Sequence, residues 1–335
     1  MPIKIGINGM GRIGRMVVRS IYENYKGKVQ IKHINNRSGS EICANLLKYD
    51  SVHGKFNAEI KSNSNYLRIN KDKISFSQFS NIQDINWKKY NVDYVFECTG
   101  KFNSKEKLIP HLKNGAKKVI VSAPCKNADK TVVFGVNHRK IGKSDNIISA
   151  ASCTTNCLAP IADVINKNFI IQNGFMTTIH AFTTDQRILD NSHKDPRRAR
   201  SASQSIVPTS TGASRAIGEI IPSLKGKLEG IAIRVPTPNV SLVEFVFNVK
   251  KNISKEKLNN SFSKASNAYL KNILDVTKEK LVSIDFNHNS SSAIIDSSLT
   301  NVVGTKMGKI SAWYDNEWGF SNRMCDIARY LSKIN

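Results

Sequence analysis

Hydrophobic positions in the first 150 residues alternate between strand-type runs and helix-type spacing. Apolar runs of strand length occupy residues 3–8, 29–35, 92–98 and 118–122. Between the first two runs, Ile13, Met16, Val17 and Ile21 recur at helical spacing, and residues 105–113 form a polar helix-type stretch. Such repeated β-α-β units favour a parallel, doubly wound sheet, whose ligands bind beyond the carboxyl ends of its strands.

The second half of the chain is predicted to contain longer strands. A helix over about 154–168 precedes strands at 175–181, 230–235 and 242–249, and three further strand-like stretches occupy 281–285, 293–295 and 310–314. Within 242–249, alternate residues from Val243 to Val249 are apolar, which predicts one buried face. The expected architecture is therefore a mostly antiparallel or mixed sheet carrying helices.

A terminal helix over 318–334, with Met324, Ile327 and Leu331 on one side, is expected to pack back on the first domain. The predicted domains are thus a dinucleotide-binding domain of residues 1–151 joined by the helix at 317–335, and a catalytic domain of residues 152–316. This α/β plus α+β arrangement is the fold class that the pattern favours.

Composition narrows the class of protein without naming a function. With 335 residues, 40% of them hydrophobic, the chain is long and apolar enough for about two folded domains. Its 50 Lys and Arg against 26 Asp and Glu leave a net charge of +24. That charge is compatible with a nucleic-acid binder, with an enzyme for anionic substrates, or with a Lys-rich proteome.

The cysteines and the absence of membrane-type segments predict a location. Six cysteines show no regular C-x-x-C framework, and no apolar run approaches the roughly 18 residues needed to span a bilayer. The N-terminus has no charged-then-apolar leader. We therefore expect a protein of the reducing cytoplasm, in which Cys43, Cys98, Cys125 and Cys325 are free, buried and structural.

A glycine motif follows the first predicted strand and opens the first predicted helix. Gly9, Gly11 and Gly14 form the spacing G-x-G-x-x-G. Two of these glycines allow a tight turn and a close approach of backbone N–H groups to a pyrophosphate, and the third allows close helix–strand packing. The motif and its context predict dinucleotide binding.

The end of the second predicted strand bears on the choice of cofactor. Dinucleotide sites specific for NAD place an acidic residue there, which repels a 2′-phosphate. This chain has Asn35, Asn36 and Arg37 instead. Because a neutral amide does not repel phosphate and a guanidinium pairs with it, NADP could be accepted beside NAD or preferred. The opposite outcome, in which Arg37 points into solvent and NAD dominates, stays open.

Two residues are candidates for covalent chemistry. Cys153 lies at the expected N-terminus of a helix, where the helix dipole and free N–H groups should lower the pKa of its thiol. His180 ends a predicted strand and could be the ion-pair partner and proton carrier that a Cys nucleophile needs. Cys157, one helical turn after Cys153, is expected to be structural.

Five segments together resemble the glyceraldehyde-3-phosphate dehydrogenase family. The resemblance spans nearly the whole chain, and the segments that carry it are residues 6–15, 152–157, 192–195, 234–240 and 313–317. The family implies a phosphorylating oxidoreductase that converts D-glyceraldehyde 3-phosphate, inorganic phosphate and NAD(P)+ into 1,3-bisphosphoglycerate, through a thiohemiacetal and a thioester on Cys153 with His180 as the activating partner.

The resemblance also implies two phosphate subsites and the cofactor contacts. The subsite for the C3 phosphate of the substrate would contain Thr183, Asp185 and Arg234, with Asp185 orienting Arg187 or Arg234. The subsite for inorganic phosphate would contain Ser152, Thr154, Arg198, Thr211 and Gly212. Asn316 would hold the nicotinamide carboxamide, and the remaining cofactor contacts would come from Gly9, Gly11, Arg12, Ile13, Gly14, Asn36, Arg37, Thr99, Ser122 and Ser192.

Family likeness further implies a homotetramer without a metal. The irregular stretch 183–205 matches a loop that lies at subunit contacts, and Ser192 stands where NADP-using plastid relatives have Ser. An erythrose-4-phosphate dehydrogenase is the nearest alternative, although residues 209–213 keep the phosphate-subsite pattern. A nucleic-acid-binding protein on the same fold is less favoured, because the Lys residues are scattered and no basic–aromatic interleaving is present.

Overall fold

The structure, a computed structural model, describes residues 1–334. The chain forms two compact units. The first comprises residues 1–134, 138–152 and the segment from Ser321 onward, and the second comprises residues 135–137 and 153–320.

Eleven strands and three α-helices form most of the first unit. In chain order they are β1 (Ile3–Asn8), α1 (Arg12–Asn24), β2 (Val29–Asn35), α2 (Ser40–Lys48), β3 (Tyr49–Asp50), β4 (Gly54–Lys55), β5 (Ile60–Asn63), β6 (Tyr66–Ile69), β7 (Asp72–Ser77), β8 (Tyr94–Glu97), α3 (Lys105–Lys113), β9 (Lys118–Val121), β10 (Lys130–Thr131) and β11 (Ile147–Ser149). Short 3-10 helices occupy Ile82–Asp84 and His138–Lys140.

Nine of these strands form one sheet in the order β10-β11-β9-β8-β1-β2-β7-β6-β5. All neighbours are parallel except β5–β6 and β6–β7. From β1 the chain proceeds to β2 on one side and later returns to β8 on the other, so the strand order reverses beside β1. The predicted doubly wound sheet is confirmed, and a reversal of this kind is where such sheets bind ligands.

The second unit continues the chain from a long helix into a mixed sheet. Its elements are α4 (Cys153–Phe169), β12 (Ile171–Ala181), β13 (Val207–Ser210), α5 (Ala213–Ile220), β14 (Leu228–Val235), β15 (Ser241–Val249), α6 (Lys255–Asn267), β16 (Leu274–Thr277), β17 (Ala293–Asp296), β18 (Asn301–Val303), β19 (Met307–Tyr314) and the start of α7 (Trp318–Ile334). Two more 3-10 helices occupy Pro222–Leu224 and Ser283–Phe286.

The sheet of this unit has the order β13-β14-β12-β15-β19-β17-β16, with β18 paired to β19. Only β12–β14 and β16–β17 are parallel. Along β15 the odd-numbered positions from Ser241 to Val249 are buried and the even-numbered ones are half-buried, which fits the predicted alternation. Since α4 packs against β15, this face forms the core beneath the first turn of α4.

From Ser321 onward, α7 lies in the first unit. The amide oxygen of Asn322 accepts hydrogen bonds from Ser20 Oγ at 3.0 Å and from Asn24 Nδ2 at 2.8 Å. The hydroxyl of Tyr25 donates to Asp326 Oδ1 at 2.9 Å. These polar contacts fix the helix against α1 beside the apolar residues that the sequence placed on its buried side.

Two expectations from the sequence are wrong. Residues 281–285 do not form a strand, because Ser283–Phe286 is a 3-10 helix in which Asp285 Oδ2 accepts from the backbone N–H of Val282 at 2.8 Å. Cys125 is half-buried, whereas Cys43, Cys98 and Cys325 are buried as expected. All six cysteines are free.

Candidate active site

Cys153 is the first residue of α4, as the sequence predicted. Two residues earlier the backbone of Ala151 has φ of 59°, the left-handed region that L-residues other than Asn and Asp rarely adopt. A Ser149 hydroxyl accepts the N–H of Ala151 at 3.1 Å. This strained turn connects β11 to α4. The position of the Cys153 thiol therefore depends on the backbone of the turn as well as on the side-chain rotamer.

His180 faces the thiol. Its Nε2 atom lies 3.4 Å from Sγ of Cys153, which is within the range for a hydrogen bond to sulfur. The ring is 3% exposed and stands edge-on to Tyr314, with centroids 5.9 Å apart. The structure therefore brings together the two residues that the sequence proposed as nucleophile and proton carrier.

Burial controls the protonation of this pair. Desolvation, followed by the charge of Arg234, lowers the pKa of His180 to about 3. Burial also raises the pKa of the Cys153 thiol, although Arg234 and hydrogen bonds with Thr154 act in the opposite direction. The expectation that the helix N-terminus leaves Cys153 with a lowered pKa is thus wrong in its net direction. Burial thus favours the neutral form of both the thiol and the imidazole.

Arg234 lies on the other side of His180. The two residues are direct partners in the register of β12 and β14, and Nη1 of Arg234 is 2.6 Å from Nδ1 of His180 and 3.0 Å from the carbonyl oxygen of Ala181. Its Nε atom is buried and has no hydrogen-bond partner among residues 1–334. A guanidinium with an unused donor beside the nucleophile is suited to an incoming anion.

Tyr314 is a site residue to which sequence reasoning assigned no role. Its hydroxyl is 2.9 Å from Oγ1 of Thr154 and 2.8 Å from Oγ1 of Thr178. Burial raises the pKa of this phenol well above its ordinary value, so it stays protonated. The tyrosine links the first turn of α4 to β12. In the sequence, only its place within the family-like segment 313–317 indicated that this residue could belong to the site.

The residues assigned to the two phosphate subsites are not separate clusters. Asp185 Oδ2 accepts from Nη1 of Arg198 at 2.6 Å, so the acidic residue of one predicted subsite holds the arginine of the other. The donor that Asp185 was expected to orient, such as Arg187 or Arg234, is thus Arg198, while Arg187 donates to the carbonyl oxygen of Ser192. A cavity of about 880 Å³ at this place is lined by Asp185, Arg187, Ser192, His193, Lys194, Asp195, Arg198 and Ser210.

Arg198 is held by several groups at once. Its Nε atom donates to Oγ1 of Thr209 at 2.7 Å, and its Nη2 atom donates to the carbonyl oxygen of Ser210 at 3.3 Å. Nearby, Oγ1 of Thr211 accepts the N–H of Ala213 at 3.2 Å, at the start of α5. Thr183 instead forms hydrogen bonds with Gln186 through its N–H and its hydroxyl.

A second cavity lies in the first unit, at the carboxyl ends of β1, β2 and β8. Its volume is about 260 Å³, and it is lined by Asn8, Gly9, Gly11, Asn35, Asn36, Arg37, Phe79, Ser80, Cys98, Thr99, Lys101 and Phe102. Five predicted cofactor residues are thus brought together: Gly9, Gly11, Asn36, Arg37 and Thr99. Ile13, Gly14 and Ser122 are not among its lining residues, and neither is Arg12, which forms an ion pair with Asp50 at 2.5 Å.

The three glycines of the motif have different surroundings. A Cβ on Gly14 would lie 2.0 Å from the carbonyl oxygen of Gly9, and a Cβ on Gly9 would lie 2.8 Å from the N atom of Thr99. A Cβ on Gly11 would meet nothing within 4 Å. The protein itself therefore requires glycine at 9 and 14, whereas the backbone of Gly11 borders open space.

A buried polar network that was not predicted from the sequence supports this cavity. Glu97 is 1% exposed. Its carboxylate accepts from Asn8 Nδ2 at 2.7 Å and from the N–H and hydroxyl of Thr99 at 2.8 and 2.5 Å. His111 contacts the same carboxylate at 3.1 Å and accepts from Trp87 Nε1 at 2.9 Å. The network therefore holds Asn8 and Thr99, two residues that line the cavity, in place.

Among residues 1–334, no group of three or more His, Cys, Asp or Glu side chains is arranged to hold a metal ion. Within the same range, no helix combines the length and the apolar character needed to cross a membrane.

Comparisons with known proteins agree with these geometries. Residues 3–105 match the model of the family "Glyceraldehyde 3-phosphate dehydrogenase, NAD binding domain", and residues 152–316 match the one of "Glyceraldehyde 3-phosphate dehydrogenase, C-terminal domain". A glyceraldehyde-3-phosphate dehydrogenase of Cereibacter sphaeroides is 46% identical over 334 residues, which cover 100% of each chain.

Two further relatives are similarly close. The plasmid-encoded glyceraldehyde-3-phosphate dehydrogenase of Cupriavidus necator is 49% identical and that of Geobacillus stearothermophilus is 47% identical, each over 99% of both chains. Similarity of this extent covers the glycine motif, the Cys153 segment and the terminal helix alike. The chain therefore belongs to the glyceraldehyde-3-phosphate dehydrogenase family of NAD-dependent oxidoreductases.

Proposed function

We propose that the protein oxidises D-glyceraldehyde 3-phosphate and couples this oxidation to the uptake of inorganic phosphate, which gives 1,3-bisphosphoglycerate. The observation that carries the proposal is the 3.4 Å contact between Cys153 Sγ and His180 Nε2. In this reading the first unit binds the cofactor and the second carries the chemistry.

Catalysis begins with a proton transfer from the thiol to the imidazole. His180 accepts the Cys153 proton as Sγ forms a bond to the aldehyde carbon. The oxygen of the resulting thiohemiacetal is stabilised by the imidazolium and by the backbone N–H of Cys153 at the start of α4. Because the pKa of His180 is lowered to about 3, the imidazolium returns the proton readily.

Oxidation follows on the same carbon. Bound NAD supplies the hydride acceptor at its nicotinamide ring, and the open space beside Gly11 fits its pyrophosphate. His180 takes the hydroxyl proton while the carbon loses hydride, which leaves a thioester on Cys153. Inorganic phosphate then attacks the thioester carbon, the C–S bond breaks, and Cys153 leaves as a thiolate that recovers its proton from His180.

Two arginines hold the two phosphates. Arg234 has an unpartnered, buried Nε atom close to the nucleophile, which supports binding of the C3 phosphate of the substrate. Arg198 already faces Asp185 and Asp195, so an attacking phosphate would share this guanidinium with two carboxylates. Because these carboxylates compete for the guanidinium, Arg198 is suited to a phosphate that enters and leaves during each turnover.

NADP is proposed as an accepted cofactor beside NAD. Asn36 and Arg37 line the cavity where an NAD-specific site would present a carboxylate. Arg37 is exposed and forms no ion pair within residues 1–334, so its guanidinium is available to a 2′-phosphate.

A homotetramer is proposed on the basis of exposed apolar side chains. Ile188, Leu189 and Ile206 are 56%, 74% and 70% exposed, and they lie in or next to the stretch 183–205 that the family resemblance places at subunit contacts. Clustered exposed apolar side chains indicate a protein interface. A mass measurement by light scattering after size exclusion tests the assembly directly, and a monomer would contradict it.

A reducing compartment, as expected for the cytoplasm, suits a chain whose six cysteines are all free.

The function is tested by assaying two aldehydes, glyceraldehyde 3-phosphate and erythrose 4-phosphate, each with and without inorganic phosphate. We expect fast, strictly phosphate-dependent turnover of the first aldehyde and slow turnover of the second. Turnover that is equal with and without phosphate, or faster with erythrose 4-phosphate, would contradict the proposal.

A further inference from the structure

Ser241 is a buried residue with no assigned role that lies between the acid–base residue and the amide expected to hold the nicotinamide. It is the first residue of β15 and is 1% exposed. Its hydroxyl contacts the N–H of Ala181 at 3.1 Å and Oδ1 of Asn316 at 2.9 Å. Ala181 directly follows His180 in β12.

The contacts of Ser241 assign a direction to both hydrogen bonds. The backbone N–H of Ala181 can only donate, so the oxygen of Ser241 accepts there. Asn316 is then the one acceptor within residues 1–334 for the hydroxyl proton of Ser241, which donates to Oδ1. Oδ1 of Asn316 is therefore the accepting atom, and the orientation of the amide follows from this network.

The opposite end of the amide is unused by the protein. Asn316 is 5% exposed, and its Nδ2 atom has no hydrogen-bond partner among residues 1–334. Its backbone is held nearby, because Asp315 Oδ1 accepts from the N–H groups of Glu317 and Trp318 at 2.9 and 2.8 Å. The two N–H donors of this amide are therefore available to an acceptor from outside the chain.

We infer that Ser241 is a positioning residue for the cofactor: it holds the amide of Asn316 with Nδ2 outward, where it donates to the carbonyl oxygen of the nicotinamide carboxamide. This inference rests on the proposed function, in which Asn316 receives that carboxamide. Through Ala181, the same hydroxyl also fixes the backbone next to His180, so one side chain aligns the cofactor ring and the proton carrier.

Removal of the hydroxyl would allow the amide to rotate. In Ser241→Ala, Oδ1 of Asn316 loses its donor, and a buried acceptor without a partner is costly. Rotation by half a turn exchanges Oδ1 and Nδ2, so the variant would present an acceptor as well as a donor to the cofactor. A carboxamide tolerates both orientations because it carries an oxygen and an NH2 group. The 3-acetylpyridine analogue of NAD has only the oxygen.

The test compares equilibrium binding of NAD and of the acetylpyridine analogue, followed by quenching of tryptophan fluorescence without turnover. Wild-type protein should bind the two with similar affinity. Ser241→Ala should weaken analogue binding about twofold more than NAD binding, because only about half of the amide orientations then present a donor; this corresponds to roughly 0.4 kcal/mol of discrimination. Ser241→Cys is nearly isosteric with wild type but is a weaker donor, so its discrimination between the two ligands should lie between those of wild type and Ser241→Ala. This variant also provides the test if Ser241→Ala does not fold.

A matched control is Ser311→Ala. Ser311 is also fully buried in this sheet, on β19, and donates to Glu244 at 2.6 Å. This variant should keep the wild-type ratio of the two affinities. If folded Ser241→Ala and Ser241→Cys both keep that ratio, the positioning role is wrong. If Asn316→Asp binds NAD as tightly as wild type, the proposed cofactor contact itself is wrong, which separates the two failures.

Discussion

Nη1 of Arg234 lies 2.6 Å from Nδ1 of His180, across the paired strands β12 and β14. A guanidinium at this distance opposes protonation of the imidazole. It therefore adds to the desolvation that brings the pKa of His180 down to about 3 and favours the neutral ring. The arginine that is suited to the substrate phosphate thus also sets the state of the base.

Substitution of Arg234 by Gln should raise the pKa of His180. The positive charge is lost while burial persists, so the new pKa should lie above that of wild type and still below the ordinary histidine value of about 6.5. The measurement is an NMR pH titration of protein labelled at histidine Cε1, with His180→Asn to assign the signal. Arg215→Gln, which removes an exposed partner of Glu229, is the control. An unchanged His180 titration would refute the electrostatic coupling.

The glycine motif gives a pair of opposite predictions. Gly14→Ala places a Cβ 2.0 Å from the carbonyl oxygen of Gly9 and should destabilise the protein by about 3 kcal/mol. Gly11→Ala meets no protein atom and has an ordinary φ of −69°. It should unfold like wild type, within about 0.5 kcal/mol, yet bind NAD at least about tenfold more weakly. Denaturant unfolding and cofactor titration separate the two, and wild-type affinity in Gly11→Ala would contradict the pyrophosphate site.

Asp50 should contribute stability that depends on pH. Burial alone would raise its pKa, but hydrogen bonds from Arg12 and from the N–H groups of His53 and Val52 hold it well below the usual value. A carboxylate with a depressed pKa stabilises the fold above its unfolded pKa of about 3.9 and loses that contribution as the pH falls. Asp50→Asn should therefore lower the free energy of unfolding at pH 7 by about 3 kcal/mol.

The control for this prediction is Asp190→Asn, which removes an exposed partner of Arg200. The difference between Asp50→Asn and wild type should shrink as the pH falls below about 4. A difference that is equal at pH 7 and pH 3 would argue against the ionic origin of this stability.

Cofactor choice should depend on Arg37. Arg37→Gln removes the exposed guanidinium beside the cavity and should raise the KM for NADP by about tenfold or more, with little effect on the KM for NAD. Lys26→Gln, an exposed cation not among the residues that line the cavity, should change neither. If wild-type protein prefers NAD more than about a hundredfold, the proposal that NADP is accepted fails before any variant is made.

The sequence predicted best those elements whose apolar residues recur at alternate positions and become buried. The limits of β1 and β2 agree with the predicted runs 3–8 and 29–35, and the alternating Ile3, Ile5 and Ile7 of β1 are all buried. Residues 281–285 showed a similar alternation. Their apolar side chains Val282 and Ile284 are, however, 61% and 68% exposed, and a local hydrogen bond from the N–H of Val282 to the Asp285 carboxylate favours a turn.

The components of the site were also predictable, but their connections were not. Cys153 and His180 were recognised from the helix start and the strand end. The contacts of Arg234 with His180, of Asp185 with Arg198 and of Ser241 with Asn316 join residues 54, 13 and 75 positions apart. Strand register and loop closure decide such contacts, and neither leaves a periodic signal in the sequence. The antiparallel strands β5 to β7 were missed for another reason: they are short and partly exposed.

The central claim is that Cys153 carries the acyl group. Wild-type protein mixed with glyceraldehyde 3-phosphate and NAD in the absence of phosphate should release about one equivalent of NADH per active site and stop. Intact-mass and peptide analysis should then locate a 3-phosphoglyceroyl group on Cys153, and addition of phosphate should remove it. Cys153→Ser should bind NAD like wild type and show neither the burst nor the adduct. A full NADH burst from Cys153→Ser, or an adduct on another residue, would contradict the account.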